Sequence, residues 1–300
     1  MSPEYKSGYV SIVGRPNVGK STLLNQLIEQ KISITSKKRQ TTRHNIVGVY
    51  TDAAKKHQII YVDTPGIHQG QDSAINRYMN RTAASALQDV DAVVFVVDKN
   101  IWTNEDQNVA DLLAHVRLPV ILAVNKVDQL DSINELLPHI QAISEKLPQA
   151  EIMPLSALKR TNLDPLRDLL VGLLPESESY IYPEDQVTDR STRFLASEIV
   201  REKVVRLTGD ELPYQTTVAI EEFTDKGDII HISALVLVER EGQKRIVIGD
   251  GGERIKQIGI DSRRDLENML DCQVMLKIWV KVKTGWSDND HALRSLGFDN

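Results

Sequence analysis

Gly14-Arg15-Pro16-Asn17-Val18-Gly19-Lys20-Ser21 is the stretch that decides the fold. It fits the pattern G-x-x-x-x-G-K-[ST], follows an apolar run at Tyr9–Val13 and opens an amphipathic run at Lys20–Glu29. A strand, a glycine-bearing turn and a helix start form the context in which this pattern cradles phosphates. Gly14 and Gly19 let the backbone curl with its N–H groups turned inward. The helix dipole adds positive potential at the same place. Lys20 is expected to reach the β- and γ-phosphates, and Ser21 to give its hydroxyl to Mg2+. Arg15, Pro16, Asn17, Val18 and Thr22 complete the expected nucleotide-contacting turn.

Working outward, short Val- and Ile-rich runs alternate with amphipathic ones. Strands are expected at Tyr9–Val13, Ile46–Tyr50, Ile59–Val62, Ala92–Val97, Val120–Val124 and Ile152–Leu155. Helices are expected at Lys20–Glu29, Ala74–Leu87, Glu105–His115, Ile133–Leu147 and Leu163–Leu173. Such alternation predicts an α/β domain over residues 1–175, with a mostly parallel sheet covered by helices on both faces. Residues 176–189 break the pattern with Pro183, five acidic residues and little periodicity, and read as a linker. Residues 190–284 have the order helix, strand, strand, helix, helix, strand, an α+β module. In its first helix Phe194, Leu195, Ile199, Val204 and Leu207 share an apolar face. Residues 285–300 read as a tail.

The chain has 300 residues, which favours two domains. With 36 Lys+Arg against 42 Asp+Glu the net charge is −6, so any nucleic-acid contact must come from a local basic patch. Hydrophobic content of 41% and charged content of 26% describe a globular chain. A single cysteine, Cys272, excludes an internal disulfide and a Cys-rich zinc site and fits a reducing compartment. The longest apolar runs are too short to span a bilayer, and the first residues carry no apolar signal region.

Three more motifs end predicted strands. Asp63-Thr64-Pro65-Gly66 places a carboxylate where open α/β sheets bind ligands; Asp63 is expected to hold Mg2+ through water, and Gly66 to offer its N–H to a γ-phosphate. Asn125-Lys126-Val127-Asp128 supplies Asp128 to accept from guanine N1–H and the 2-amino group, a donor pair that adenine lacks, with the Lys126 stem along the base. Ser156-Ala157-Leu158 is expected to turn its N–H groups to guanine O6.

In this order the four motifs resemble a translation-factor-type GTPase domain of the Ras-like fold, covering about the first 175 residues. The resemblance implies a Mg2+-binding threonine just before the arginine of Ser36-Lys37-Lys38-Arg39-Gln40-Thr41-Thr42-Arg43, which is Thr42 rather than Thr41. Where Ras-like enzymes carry a water-orienting glutamine, this chain has Ile67, which cannot orient water. The resemblance then implies K+ held by Asn17 as the neutralising charge, and a catalytic set of Lys20, Asn17, Thr42 and Gly66.

The second module carries Ile248-Gly249-Asp250-Gly251-Gly252-Glu253-Arg254-Ile255, a G-x-x-G loop between helical stretches. This loop, its isoleucine-rich surroundings and the element order resemble a type II KH domain, in which the loop admits the nucleic-acid backbone. Arg254, Lys256, Arg263 and Arg264 supply positive charge near it, while Asp250 opposes phosphate. A GTPase domain of this kind joined to a C-terminal KH domain resembles the Era family of bacterial GTPases over nearly the whole chain. The resemblance implies GTP hydrolysis and binding of the 3′ end of 16S rRNA. It implies a role in 16S rRNA processing and small (30S) ribosomal subunit assembly, and no DNA target. It also implies a monomer acting in the cytoplasm, with peripheral association at the inner membrane. Two other readings stay open: an RNA-binding protein whose nucleotide is structural, and a membrane-associated signalling GTPase, for which neither a lipidation motif nor a basic amphipathic helix is visible.

Overall fold

The computed structural model describes residues 5–36, 38, 41–66, 74–208, 212 and 216–295. The described residues fall into two compact units whose borders are not those of the sequence domains: segments 34–41 and 74–78 cluster with 190–295, and the rest form the other unit.

The first unit is built on β1 (Tyr5–Val13), β2 (Ile46–Asp52), β3 (His57–Asp63), β4 (Ala92–Asp98), β5 (Val120–Asn125) and β6 (Glu151–Pro154), in the order β2-β3-β1-β4-β5-β6. Of these six, only β2 runs antiparallel, against β3. Helices α1 (Lys20–Leu27), α2 (Ala74–Ser85), α3 (Asn104–Leu113), α4 (Leu137–Lys146) and α5 (Leu163–Leu173) follow the strands as the alternation predicts. Every residue of β3, β4 and β5 is buried, as expected of strands covered on both faces. Val93, Phe95 and Val97 pack with Leu122 and Val124 against Val109 and Leu113 of α3 and Ile143 of α4. Each such side chain contributes about 1.5–3 kcal/mol by leaving water. The parallel register ends β1, β3 and β5 on one edge, so Val13, Asp63 and Asn125 deliver their following loops to a common side.

Residues 176–189 differ from a free linker. β7 (Glu176–Ser177) pairs antiparallel with the start of β1. The Gln58 carboxamide then accepts from the N–H groups of Ile181 (3.0 Å) and Tyr182 (2.9 Å) and donates to the Tyr182 carbonyl at 2.9 Å. Further on, Val49 N–H donates to Val187 O at 2.9 Å and the Thr188 hydroxyl donates to Val47 O at 2.6 Å, closing the outer edge of β2. The segment lacks periodicity because its bonds are made by backbone and by one buried glutamine, not by a repeating apolar face.

The second unit contains α6 (Thr192–Leu207), β8 (Thr216–Asp225), β9 (Ile229–Val238), α7 (Glu241–Ile248), α8 (Glu253–Leu270), β10 (Gln273–Val282) and α9 (Asp290–Ser295). Its sheet has the order β10-β9-β8, with β10 parallel to β9. Ile232, Ala234, Val236 and Val238 share the buried face with Val274, Leu276, Ile278 and Val280, the period of two of strands with one buried face. In α6, Ile199 and Val204 are buried as expected, but Leu207 is exposed, and Glu198, Arg201, Glu202 and Lys203 are buried instead. The expected tail is folded: Trp286 is 1% exposed, and Glu239 accepts from the N–H of Gly285 and from the N–H and hydroxyl of Ser287.

Candidate nucleotide and nucleic-acid sites

At the end of β1 the chain turns through Gly14 to Gly19, the residue before α1. Gly19 has φ +104°, and a Cβ there would lie 2.4 Å from the Asn125 amide nitrogen, so only glycine fits. Lys20 folds back into the turn, where its Nζ donates to Gly14 O at 2.8 Å and Arg15 O at 3.0 Å. Burial pulls this ammonium down to about 8, against the raising field of Asp63. Arg15 is committed elsewhere: its Nε donates to Asp106 Oδ2 at 2.9 Å. Gly66 closes on the turn, its α-carbon beside Pro16. The Thr64 hydroxyl donates to Ile12 O at 2.9 Å, which pins the Asp63 loop to β1. Ile67 lies outside the described residues.

Beside the turn three hydroxyls gather around Asp63, which is fully buried. Ser21 Oγ donates to Asp63 Oδ2 at 2.7 Å and is 2.8 Å from Thr42 Oγ1; its single proton goes to Asp63, so Thr42 donates. Ser33 Oγ also donates to Asp63 Oδ2, at 3.0 Å. Burial pushes the Asp63 carboxyl above the usual carboxylate range, while Lys20 and then the hydroxyls of Ser21, Ser33 and Thr42 pull it back. Asp63 Oδ1 has no hydrogen-bond partner among the described residues. A buried carboxylate oxygen left unpaired costs free energy, and two hydroxyls beside it make a hard oxygen donor set that fits Mg2+. The structure thus brings Ser21, Thr42 and Asp63 together.

The end expected to take guanine is organised by Asn125, 2% exposed at the end of β5. Its Nδ2 donates to Val18 O at 2.8 Å, and its Oδ1 accepts from the N–H groups of Lys126 (2.8 Å) and Ala157 (2.9 Å). Lys126 spans back to the phosphate turn, with Nζ 2.7 Å from both Asn17 O and Asp98 Oδ2. Asp128 is oriented by the Ser156 hydroxyl at 2.5 Å. One expectation changes: the Ser156 N–H goes to Thr161 O and the Ala157 N–H to Asn125 Oδ1, so neither is free for guanine O6. The reason is that Asn125 needs a second donor for its carbonyl. The Leu158 N–H, on an exposed residue, has no acceptor among the described hydrogen bonds.

In the second unit, α7 ends at Gly249 and α8 begins after Gly252. Gly249 has φ +75°, and a Cβ there would lie 2.7 Å from Arg254 Cβ, so the loop needs glycine to close. Ile246 is 43% exposed, Ile248 and Ile255 are half-buried, and β10 is an edge strand beside α7 and α8. Exposed and half-buried isoleucines thus flank the glycine loop on both sides in the chain. Arg254 turns its guanidinium to Ile246 O, under the loop, and Lys256 is exposed. Arg263 and Arg264 are exposed too, yet about 16 Å along α8 from the loop. They are partly neutralised by Glu267 and Asp261 at 3.8 and 3.2 Å.

Sequence reading missed the side chains that act across long separations. Asn25 bonds the backbone of Ser33, whose hydroxyl reaches Asp63. On α6, Glu202 Oε1 accepts from Thr35 N–H at 3.0 Å, Arg206 donates to Thr35 O at 2.8 Å, and Arg201 pairs with Glu198 and donates to Thr41 O. Buried charges in mid-helix read as solvated until their partners are seen.

The chain is 61% identical over 297 residues to the GTPase Era of Ectopseudomonas mendocina strain ymp, covering 99% of this chain and 98% of the relative. The chain belongs to the Era family of GTPases. It is 58% identical to GTPase Era of Pseudomonas aeruginosa, covering 98% of this chain and 95% of the relative. Residues 9–126 match the family model described as 50S ribosome-binding GTPase, and residues 211–287 match the KH domain. Two solved Era structures, each 39% identical, superpose with a TM-score of 0.94. One is a point variant of Aquifex aeolicus Era bound to GDP·AlF4−, covering 98% of this chain and all of that one. The other is Era in complex with MgGDPNP and nucleotides 1506–1542 of 16S ribosomal RNA, covering 99% of this chain and all of that one. As an Era-family member this protein binds guanine nucleotides and hydrolyses GTP, and its second unit carries a type II KH fold. Among the described residues no helix is long and apolar enough to cross a membrane.

Proposed function

We propose that this Era-family GTPase binds the 3′ end of 16S rRNA through its KH domain, under control of the bound nucleotide, and acts in the cytoplasm in 16S rRNA processing and small-subunit assembly. The observation that carries the reading is the glycine loop between α7 and α8. It is flanked by exposed and half-buried isoleucines in a chain that matches, over 99% of its length, an Era solved with nucleotides 1506–1542 of 16S rRNA. Gly249 and Gly252 let a phosphodiester approach the helix start, and Ile246, Ile248 and Ile255 offer bases an apolar floor.

In the nucleotide site the turn's N–H groups and the start of α1 bind the phosphates. Lys20 leaves the carbonyls of Gly14 and Arg15 for the β- and γ-phosphate oxygens. Ser21, Thr42 and Asp63 would hold Mg2+, which when bound supplies positive charge against the phosphates. Thr42 and the Gly66 N–H report the γ-phosphate and are released after hydrolysis. Asp128, held by Ser156, selects guanine by accepting two donors, and the Leu158 N–H serves O6. Asn17, whose carbonyl is held by Lys126 and whose side chain is exposed, offers its side-chain oxygen to K+ as the charge that offsets the transition state.

Equilibrium binding to an RNA matching nucleotides 1506–1542 tests the reading, at fixed salt, with GDP or a non-hydrolysable GTP analogue and a scrambled RNA as control. Tighter specific binding in the GTP-like state is expected, since a switch requires differential affinity. Specific binding indifferent to nucleotide would reduce the nucleotide to a structural role. No preference over scrambled RNA would refute the rRNA assignment.

A further inference from the structure

Ser33 precedes Thr42 by nine positions, and both carry hydroxyls into the Asp63 cluster. Between them runs segment 34–41, which belongs to the other compact unit. Ser33 is 1% exposed, and its backbone is clamped by one side chain of α1. Asn25 Oδ1 accepts from the N–H groups of Ile32 (3.0 Å) and Ser33 (2.9 Å), and Asn25 Nδ2 donates to Ser33 O at 2.6 Å. Asn25 therefore uses only the backbone of Ser33. The hydroxyl is left for Asp63, to which it supplies one of the two bonds received by Oδ2, while Oδ1 stays open. A bond on one oxygen fixes the carboxylate plane, and so fixes where the other oxygen faces a cation or its bound water.

We infer that Ser33, aimed by Asn25, is a positioning residue of the Mg2+ centre: it orients Asp63 and sets the affinity for the divalent ion, not for the nucleotide. The inference rests on the Mg2+ reading given above. It also gives Asp63 a hydrogen-bond partner that is not itself expected to hold the ion. Ser33 touches no reacting atom; it acts through Asp63.

The test follows release of fluorescent GDP from the full chain as free Mg2+ is titrated, with affinity in EDTA measured alongside. Loss of an outer-shell partner costs about 10- to 100-fold in metal affinity. Ser33→Ala is expected to raise the half-saturating Mg2+ concentration at least about 10-fold and to leave GDP affinity in EDTA unchanged. Asn25→Ala is expected to act in the same direction. The double variant is expected to be no worse than the stronger single one, because Asn25 works through Ser33. Unchanged Mg2+ dependence in Ser33→Ala, an equal loss of affinity in EDTA, or additive effects in the double variant would each overturn the assignment. Should Ser33→Ala fail to fold, Ser33→Cys keeps the shape with a far weaker donor and carries the same readout. If the unaltered protein releases GDP at a rate independent of Mg2+, the metal reading fails, which is distinct from a failure at Ser33.

Discussion

Asn125→Ala isolates the bond set on which the guanine end is assembled. The Asn125 amide links three chain segments: Val18 O in the phosphate turn, its own neighbour Lys126 N–H, and Ala157 N–H after β6, at 2.8, 2.8 and 2.9 Å. Alanine removes all three bonds at a site 2% exposed. At a net 0.5–1.5 kcal/mol each, the loss is about 1.5–4.5 kcal/mol, and water entering the vacated space keeps it near the middle, about 3 kcal/mol. Because all three bonds are internal to the protein, the loss should appear in urea unfolding of the nucleotide-free protein as a lower midpoint at unchanged m-value. GDP affinity should fall as well, by at least about tenfold, or 1.4 kcal/mol, since Lys126 and the 156–158 turn lose their common anchor. An unfolding free energy within about 0.5 kcal/mol of the unaltered protein, a span typical of substitutions away from such features, would refute the view that Asn125 ties these segments together before the nucleotide arrives.

Other outcomes are open to measurement. Burial holds the Lys20 ammonium at about 8. A bound phosphate raises that value, so binding takes up a proton above it, and GDP affinity should fall by up to about tenfold per pH unit above 8 while this lysine causes no change below. Calorimetry in buffers of different ionisation enthalpy would detect the proton uptake. Arg201→Ala removes the guanidinium that holds both Glu198 oxygens in a buried pair, and should destabilise the protein by about 3–5 kcal/mol in urea unfolding. Joint replacement, Glu198→Gln with Arg201→Met, should cost clearly less. Exchanging K+ for Na+ should slow GTP turnover at least about tenfold, a loss of about 1.4 kcal/mol, and Asn17→Ala should abolish the difference between the ions.

The parts of the site legible in the sequence are those whose residues are contiguous and end a strand. Gly14 to Ser21, Asp63 to Gly66 and Asn125 to Asp128 each carry their chemistry within a few positions, and the parallel sheet delivers them to one edge. The KH unit was legible because β9 and β10 alternate cleanly and Gly249 to Gly252 interrupt two helices. What stayed hidden depends on partners far away in the chain. Ser33 is eight residues from Asn25 and thirty from Asp63, and nothing local marks its hydroxyl. Glu198, Arg201, Glu202 and Lys203 look like a wet helix face, yet each is buried and bonded, some of them to segment 34–41. The Ala157 N–H looked available until Asn125 was seen to take it. The folded character of 285–295 depends on Glu239, more than forty residues upstream.

The strap formed by residues 176–188 has a practical consequence for anyone dividing this chain. A fragment ending after α5, where the helix–strand alternation stops, would strip Val187 and Thr188 from β2 and leave a seven-residue terminal strand with open N–H and C=O groups. Bare edges of that kind recruit other chains. It would also strand the Gln58 side chain, whose amide is satisfied by the strap at a fully buried position. A GTPase fragment should therefore keep residues 176–189, and fragments cut near residue 175 should aggregate more readily than those cut after Asp189.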